Sequence, residues 1–81
     1  MSEMTVVTVD VREDIRAGRE PFSRIMAALQ GLRPDQELVV VNVFEPVPLY
    51  AALAGLGFAH ETVRTADGDW RVRFYRQTGG E

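Results

Sequence analysis

The chain has 81 residues, of which 46% are hydrophobic and 26% are charged, and its formal net charge is -3 at pH 7. This length suits one domain around one hydrophobic core, and the negative charge opposes non-specific binding to nucleic acid or to an anionic membrane. The sequence contains neither cysteine nor lysine, which excludes disulfides, thiolate nucleophiles, thiolate metal sites and Schiff-base chemistry.

A strand is the first predicted element, over residues 5–11. Apolar and polar side chains alternate there, as expected when successive residues point to opposite faces of a sheet. One face carries Val7, Val9 and Val11. A charged connection over residues 12–20 follows, and we expect one helical turn within it, around residues 14–16.

A helix is predicted next, because Pro21 suits the first turn, where its missing N–H would have no partner. Apolar residues then recur at helical spacing and form one stripe, made of Phe22, Ile25, Met26, Leu29 and Leu32. Pro34 ends the helix. Residues 38–43 are a nearly unbroken β-branched run, which is typical of a central strand buried on both faces.

The second half of the chain predicts a helix followed by a hairpin. Pro46 and Pro48 mark the start of the helix, and Gly57 ends it. The side chains expected to point inward are Leu49, Leu53 and Leu56. Phe58–Arg64 and Trp70–Arg76 predict two strands, joined by a turn whose Asp and Gly residues suit a tight connection.

These elements give the order β-α-β-α-β-β and an α+β fold class. Because a strand–helix–strand crossover is right-handed, both helices are expected on one face of a mixed four-stranded sheet, as a two-layer sandwich. The opposite face stays open and carries Arg71, Arg73 and Tyr75 of the last strand. Such a face is either ordinary mixed surface or the contact of a homodimer or another partner. We expect one domain over residues 1–81, with an ordered core over residues 5–76 and a flexible tail over residues 77–81.

The sequence also lacks the pattern of a membrane or secretion segment. No apolar run approaches the roughly 20 residues of a membrane span. Residues 1–5 lack the basic and apolar regions of a signal segment. We therefore expect a cytoplasmic protein that does not contact a membrane.

Four segments taken together resemble a known family. They cover residues 9–12, 21–29, 44–50 and 68–74. In combination they are similar to an uncharacterised bacterial domain family related to the TusA/SirA-type sulfur carriers, from about Thr5 to Arg76. The resemblance implies a two-layer sandwich with the sheet order 1-2-4-3. The carriers hold a reactive cysteine in a Cys-Pro-x-Pro motif, and this chain has Glu20 at the cysteine position. Because glutamate cannot carry a persulfide, the resemblance also implies that this chain does not relay sulfur by the carriers' route.

Candidate functional residues gather in the loops at the carboxyl ends of the first two strands, where α/β sheets bind ligands. They are Asp10, Arg12, Glu20, Phe22, Phe44, Glu45 and Tyr50. Asp10 and Arg12 either line a ligand crevice or form a local ion pair or turn cap, and the second of these alternatives is favoured. Phe44 and Tyr50 flank a loop that prolines stiffen. Their rings either contact a binding partner or close the hydrophobic core.

Glu20 and Glu45 each precede a helix that starts with proline. A carboxylate there caps free N–H groups and interacts favourably with the helix dipole, so capping is their expected role. Two such caps would occupy the places where a phosphate binds, and nucleotide binding is not expected. A metal site is not expected either, because His60 is the only histidine and Glu61 beside it points to the opposite face of the strand.

The favoured function is a non-catalytic binding or accessory module whose partner is an unidentified protein or small molecule, with no cofactor. The alternatives are an enzyme or sulfur-relay accessory that uses Glu20 and Glu45, and single-stranded RNA binding through the arginine-rich C-terminal hairpin. Catalysis is disfavoured because the two carboxylates have no nucleophile or electrophilic partner beside them, and Ser23 has no credible base. RNA binding is disfavoured because acidic neighbours are expected to pair with the hairpin arginines.

Overall fold

The strands and helices of this chain are described by a computed structural model over residues 5–77. In chain order they are β1 (Thr5–Asp10), α1 (Arg12–Arg16), α2 (Phe22–Gln30), β2 (Gln36–Asn42), α3 (Val47–Ala54), β3 (Phe58–Arg64) and β4 (Trp70–Arg76). The four strands form one mixed sheet in the order β1-β2-β4-β3. β1 runs parallel to β2, whereas β4 runs antiparallel to both of its neighbours. The predicted α+β fold with the sheet order 1-2-4-3 is confirmed.

One hydrophobic core fills the space between one face of the sheet and the helices. The sheet contributes Val9, Leu38, Val40, Val72 and Phe74, and the helices contribute Ile25, Leu29, Leu49 and Leu53. Burial alternates in β1 and β4 as the period of two predicts, so that the β1 face with Val7 and Val9 is turned toward the helices. The core therefore holds the carboxyl end of β2 against the first turns of α2 and α3.

The connection after β1 is more regular than the sequence predicts. The single turn expected around residues 14–16 is a five-residue helix, α1, so the element order is β-α-α-β-α-β-β. Ile15 packs against the core, and its N–H donates to the carbonyl oxygen of Val11 at 3.0 Å. This tertiary contact explains why so short and so charged a helix forms, because isolated helices of this length are not stable. β1 ends one residue earlier than expected, at Asp10.

Two apolar side chains do not point inward as the periodicity predicts. Leu56 is 55% exposed, because α3 ends at Ala54 and the chain then turns through Gly57. The φ of +93° at Gly57 is one that glycine adopts without strain. Phe22 is 44% exposed, because it is the first residue of α2 and lines a cleft there rather than packing within the core. The flexible tail expected over residues 77–81 lies outside the described residues, apart from Gln77, whose N–H donates to the carbonyl oxygen of Gly57 at 3.0 Å.

The open face of the sheet is crossed by an ion-pair network. Nη1 of Arg73 donates to both carboxylate oxygens of Glu37 at 2.9 Å, and its Nη2 donates to Glu61 at 2.8 Å. The same guanidinium lies over the ring of Tyr75, 4.4 Å from the ring centroid. Val39, the cross-strand neighbour of Arg73, is only 1% exposed. Charged side chains thus span three strands of this face, and the homodimer expected there stays a prediction.

A buried carboxylate ties α1 to the segments that follow it. Asp14 is 6% exposed, its Oδ1 accepts a hydrogen bond from Nε of Arg19 at 3.0 Å, and its Oδ2 accepts one from Arg24. The hydrogen bond from Arg19, followed by that from Arg24, holds the pKa of Asp14 below its usual value, although burial acts in the opposite direction. The ionised form of this carboxylate therefore stabilises the loop between α1 and α2.

We expect Asp14→Asn to be less stable than the native chain near neutral pH and to lose this deficit in acid. A carboxyl whose folded pKa is lowered stabilises the fold above its unfolded value of about 3.9, and this stabilisation disappears as the pH falls through the folded value. The native chain should therefore lose stability below about pH 4, whereas the variant should lose less. Urea-unfolding midpoints, followed by the fluorescence of Trp70, measure both chains between about pH 7 and pH 3.

Asp67→Asn is the matched control for this experiment. Asp67 is exposed in the hairpin turn and forms no ion pair with another residue of the described range. Its removal should change the unfolding midpoint little at any pH, because isolated surface charges contribute little to stability. A deficit of Asp14→Asn that stays constant as the pH is lowered would contradict an origin in the ion pairs.

Candidate functional site

An apolar cleft lies at the carboxyl end of β2, between the first turns of α2 and α3. Its volume is about 170 Å³. It is lined by Pro21, Phe22, Ile25, Asn42, Phe44, Pro46, Pro48 and Leu49, and Asn42 is the only polar residue among them. A cavity of about 150 Å³ is known to accept a benzene molecule, so this cleft has room for one aromatic ring.

The floor and the rim of the cleft differ in exposure. Ile25 is 3% exposed and Leu49 is 6% exposed, so both belong to the core and form the floor. Phe22 is 44% exposed and Phe44 is 48% exposed, so their rings stand at the rim. Three prolines among the lining residues restrict the backbone that carries these rings. Aromatic side chains held in this way lose little conformational entropy when a ligand binds.

Asn42 places a buried polar group in this apolar surface. It is the last residue of β2, which covers Gln36–Asn42 rather than the predicted residues 38–43, and it is 3% exposed. Its Oδ1 accepts a hydrogen bond from the N–H of Val43 at 2.7 Å. This contact determines the orientation of the amide, because a backbone N–H requires an oxygen as its partner.

The amide nitrogen Nδ2 is the second polar atom of the Asn42 side chain. Within residues 5–77, its Nδ2 takes part in no hydrogen bond, and the contact with Val43 is the only one of this side chain. No side-chain nitrogen or oxygen in the same range is both fully enclosed and without a partner. The Nδ2 group therefore reaches an accessible surface, and the cleft is the surface that Asn42 lines. The arrangement offers one hydrogen-bond donor to an occupant with an apolar body.

Glu20 caps α2, as the sequence predicts. Its Oε2 accepts a hydrogen bond from the N–H of Phe22, and its Oε1 accepts bonds from the N–H of Ser23 at 3.4 Å and from the hydroxyl of Ser23 at 2.9 Å. The carboxylate thus takes the two backbone donors that an anionic ligand would need at this helix start.

Glu45 does not cap α3, and this prediction is wrong. Its Oε2 accepts a hydrogen bond from the hydroxyl of Tyr50 at 3.1 Å. The donors of the first turn are bound to the backbone instead, because the N–H of Val47 donates to the carbonyl oxygen of Glu45 at 2.9 Å and that of Leu49 to Pro46 at 3.0 Å. Pro48 has no N–H to offer. The start of α3 is therefore no better suited to an anion than the start of α2.

Tyr50 is held against β3 rather than presented to solvent. Its hydroxyl lies 2.6 Å from Oγ1 of Thr62, and its ring stacks on His60 with centroids 3.8 Å apart and planes within 3°. Burial raises the pKa of the Tyr50 hydroxyl above its usual value, whereas the hydrogen bond with Thr62 acts in the opposite direction. Tyr50 therefore helps to close the core. Phe44, the other aromatic residue of this loop, is exposed at the cleft.

Asp10 and Arg12 form a local ion pair away from the cleft. Nε and Nη2 of Arg12 donate to the two oxygens of Asp10 at 2.9 and 2.7 Å, and Nη1 donates to Asp69 at 2.7 Å. The hydrogen bonds that Arg12 donates to Asp10 and then to Asp69 raise the pKa of Arg12 even further above neutral pH. The local ion pair favoured by the sequence is therefore present. Asp69, in the β3–β4 turn, is an additional partner of Arg12 that its position in the sequence does not indicate.

The structure thus divides the seven predicted site residues into separate groups. Phe22 and Phe44 line the cleft, Glu20 stands beside it as a helix cap, and the other four belong to the two clusters just described. The cleft residues that the sequence analysis missed are Pro21, Ile25, Asn42, Pro46, Pro48 and Leu49. One signal was available for Asn42, since it is the single polar residue within the apolar run over residues 38–43.

The arginines of the C-terminal hairpin interact mostly within the chain. Arg73 bridges two glutamates of the open face, and Arg64 lies over the ring of Trp70 at 5.3 Å. Arg76 donates to the carbonyl oxygen of Leu32 at 3.2 Å. Phe74 is fully buried and offers no ring for a base to stack on.

Two further observations concern other kinds of site. Within residues 5–77, no group of three or more histidine, aspartate or glutamate side chains is arranged to hold a metal ion. None of the helices in that range is long and apolar enough to cross a membrane.

Comparison with known proteins gives one match. No curated protein and no solved structure matches the chain. The family described as "Uncharacterized conserved protein (DUF2249)" matches residues 8–76, a range that contains every residue of the cleft. The chain therefore belongs to the DUF2249 family of uncharacterised conserved proteins.

Proposed function

We propose that this protein is a non-catalytic binding module that holds one ring-sized apolar group of a partner in the cleft. The observation that carries the proposal is the side chain of Asn42, which is 3% exposed and keeps a free Nδ2 in an otherwise apolar surface. Because the Nδ2 group reaches an accessible surface, water can serve as its partner in the free protein. A ligand in the cleft that supplies an acceptor would take the place of this water.

The size and exposure of the cleft support the same proposal. Phe22 and Phe44 keep about half of their surface in water in the free protein, and an occupant would bury part of it. Full burial of one apolar side chain or ring contributes about 1.5–3 kcal/mol. A free ring-sized compound should therefore bind weakly, with a dissociation constant of about 6–80 mM. A larger ligand or a protein partner would gain its remaining affinity from contacts around the cleft.

The hydrogen bonds of Glu20 argue against a catalytic role at this place. Ser23 donates its hydroxyl to Glu20, which has the outline of a nucleophile and a base. The same carboxylate accepts two backbone N–H groups, so about half of its lone-pair positions already serve the helix cap. In the described part of the chain no third side chain orients Glu20 for proton transfer.

We also propose that the chain is a bacterial, cytoplasmic relative of the TusA/SirA-type sulfur carriers that works without carrier chemistry. The similarity of four segments and the sheet order 1-2-4-3 support this kinship. Glu20 stands at the position of the carrier cysteine, and it is bound to the start of α2. The cleft begins at the next residue, Pro21, so recognition in this protein would use the surface that adjoins the lost reactive position.

The binding proposal is tested by titrating the ¹⁵N-labelled protein with toluene and recording amide chemical shifts. We expect saturable shifts at Phe22, Asn42, Phe44 and Leu49. Phe44→Ala should weaken binding about fivefold, because removal of one rim ring forfeits about 1 kcal/mol of apolar contact. Leu56→Ala is the matched control, since Leu56 is similarly exposed but does not line the cleft.

Two results would contradict the binding proposal. One is the absence of saturable shifts at the cleft residues, and the other is an equal loss of affinity in Phe44→Ala and Leu56→Ala. Either result would mean that the exposed rings at the start of α2 and before α3 are ordinary surface.

A further inference from the structure

We infer that the cleft selects an aromatic group that carries a neutral carbonyl, such as a carboxamide, and rejects the corresponding carboxylate. This inference rests on the proposed function, because it specifies the chemistry of the group that the cleft would hold. It is carried by the donor of Asn42 together with the charges and the occupied helix starts around the cleft.

The preference for a carbonyl follows from the free Nδ2 of Asn42. Its Oδ1 is already engaged by the N–H of Val43, so the side chain offers the cleft a donor. A pure hydrocarbon would leave this donor without a partner when it displaces water, which costs free energy. A ring with a carbonyl oxygen can satisfy the donor and still bury its apolar body against Ile25 and Leu49.

The rejection of a negative charge follows from the residues next to the cleft. Glu20 directly precedes the lining residues Pro21 and Phe22, and Glu45 lies between the lining residues Phe44 and Pro46. Both carboxylates are exposed, and neither forms an ion pair with an arginine in residues 5–77. An anionic ligand would therefore bind between two chain segments that each carry a negative charge without an arginine partner.

Among the described residues, two arginines and both helix starts near these segments are already engaged elsewhere. Arg24, in α2, is bound to Asp14, and Arg12 is bound to Asp10 and Asp69. The first N–H groups of α2 are taken by Glu20, and those of α3 are taken by backbone carbonyls. A carboxylate placed in the cleft would lose its hydration without gaining a charged partner, which is strongly unfavourable.

The test compares three probes of nearly equal size: benzamide, benzoate and toluene. Benzamide and toluene are neutral, and only benzamide has a carbonyl. Benzoate keeps the oxygen acceptors but adds a charge. Amide chemical-shift titrations of the native chain near neutral pH should show that benzamide binds about fivefold more tightly than toluene. Benzamide should also bind about tenfold more tightly than benzoate, or more.

Two variants assign the selectivity to its residues. Asn42→Leu keeps the volume and removes the donor, so benzamide should fall to the affinity of toluene while toluene is unchanged. Glu20→Gln keeps an oxygen that can cap α2 and removes one charge, so benzoate should gain about threefold while benzamide is unchanged. The amide spectrum of each variant shows whether it is folded, and the ranking of the probes on the native chain decides the inference even where a variant is not.

The possible outcomes separate this inference from the proposed function. If all three probes bind at the cleft with similar affinity, or if benzoate or toluene binds as well as benzamide, the inference is overturned and the binding module remains. If none of the probes shifts the cleft residues, both proposals fail. The expected ranking, together with the loss of benzamide selectivity in Asn42→Leu, supports both.

Discussion

A Phe74→Ala variant is expected to lose a large part of its free energy of unfolding at room temperature. Phe74 is fully buried in β4, and its ring lies beneath the stacked rings of Tyr50 and His60, with centroids at 6.4 and 6.2 Å. Truncation of a buried phenylalanine costs about 3–5 kcal/mol, because the surrounding core fills the cavity only in part. A chain of this length has a total stability of about 4–12 kcal/mol, so the loss consumes much of it.

Urea unfolding followed by circular dichroism measures this loss, and Tyr75→Ala is the matched control. Tyr75 is the next residue of the same strand, but it points to the open face and packs beside Arg73. Its removal should cost about 1 kcal/mol, because the site is partly exposed and can relax. Equal losses in the two variants would contradict the placement of the core on the Phe74 side of the sheet.

Asn42→Asp is expected to show a second large effect, of about 2–4 kcal/mol near neutral pH. The new carboxylate would be 3% exposed in an apolar cleft, where Asn42 now stands. One oxygen can still accept the N–H of Val43, but burial raises the pKa of a carboxyl in such surroundings. Because the folded pKa would exceed the unfolded value of about 3.9, the variant loses stability as the pH rises from that value through the folded pKa.

The pH dependence separates charge burial from a loss of shape. The difference between Asn42→Asp and the native chain in urea-unfolding midpoint should become small below about pH 4, where the carboxyl is protonated and close in shape to the amide. Asn42→Leu serves as the control, since its difference from the native chain should not depend on pH. A pH-independent deficit in Asn42→Asp would mean that position 42 is hydrated rather than enclosed by the cleft.

The sequence predicts the regular elements of this fold well, because their patterns are local. Alternation in the first strand and the β-branched run of the second give the correct faces and the correct central position. The cap of α2 is also a local feature, since Glu20 lies two and three residues before the N–H groups that it accepts. α1 is only partly predictable, because its stability comes from the packing of Ile15 on a core assembled by distant segments.

The candidate site is less predictable, because hydrogen-bond partners are chosen among groups that the fold brings together. Glu45 precedes a proline-started helix just as Glu20 does, yet its carboxylate meets the hydroxyl of Tyr50 instead of the helix start. Arg12 likewise has a sequence neighbour in Asp10, and its second partner, Asp69, lies 57 residues away. The sequence shows which charged side chains are present in these cases. The distances in the folded chain decide which groups they bind.

By itself, then, the sequence determined the class of fold, the faces of the strands and the chemistries that an absence of cysteine and lysine excludes. It also predicted candidate residues in the loop after β2 and at the start of α2, among them Phe22 and Phe44, which line the cleft. Only the tertiary structure decided that these two rings share a cleft with Asn42, which lies about twenty residues from Phe22 along the chain. The reason is physical: a binding surface requires side chains from separate segments at contact distance, and periodicity along one segment carries no information about that distance.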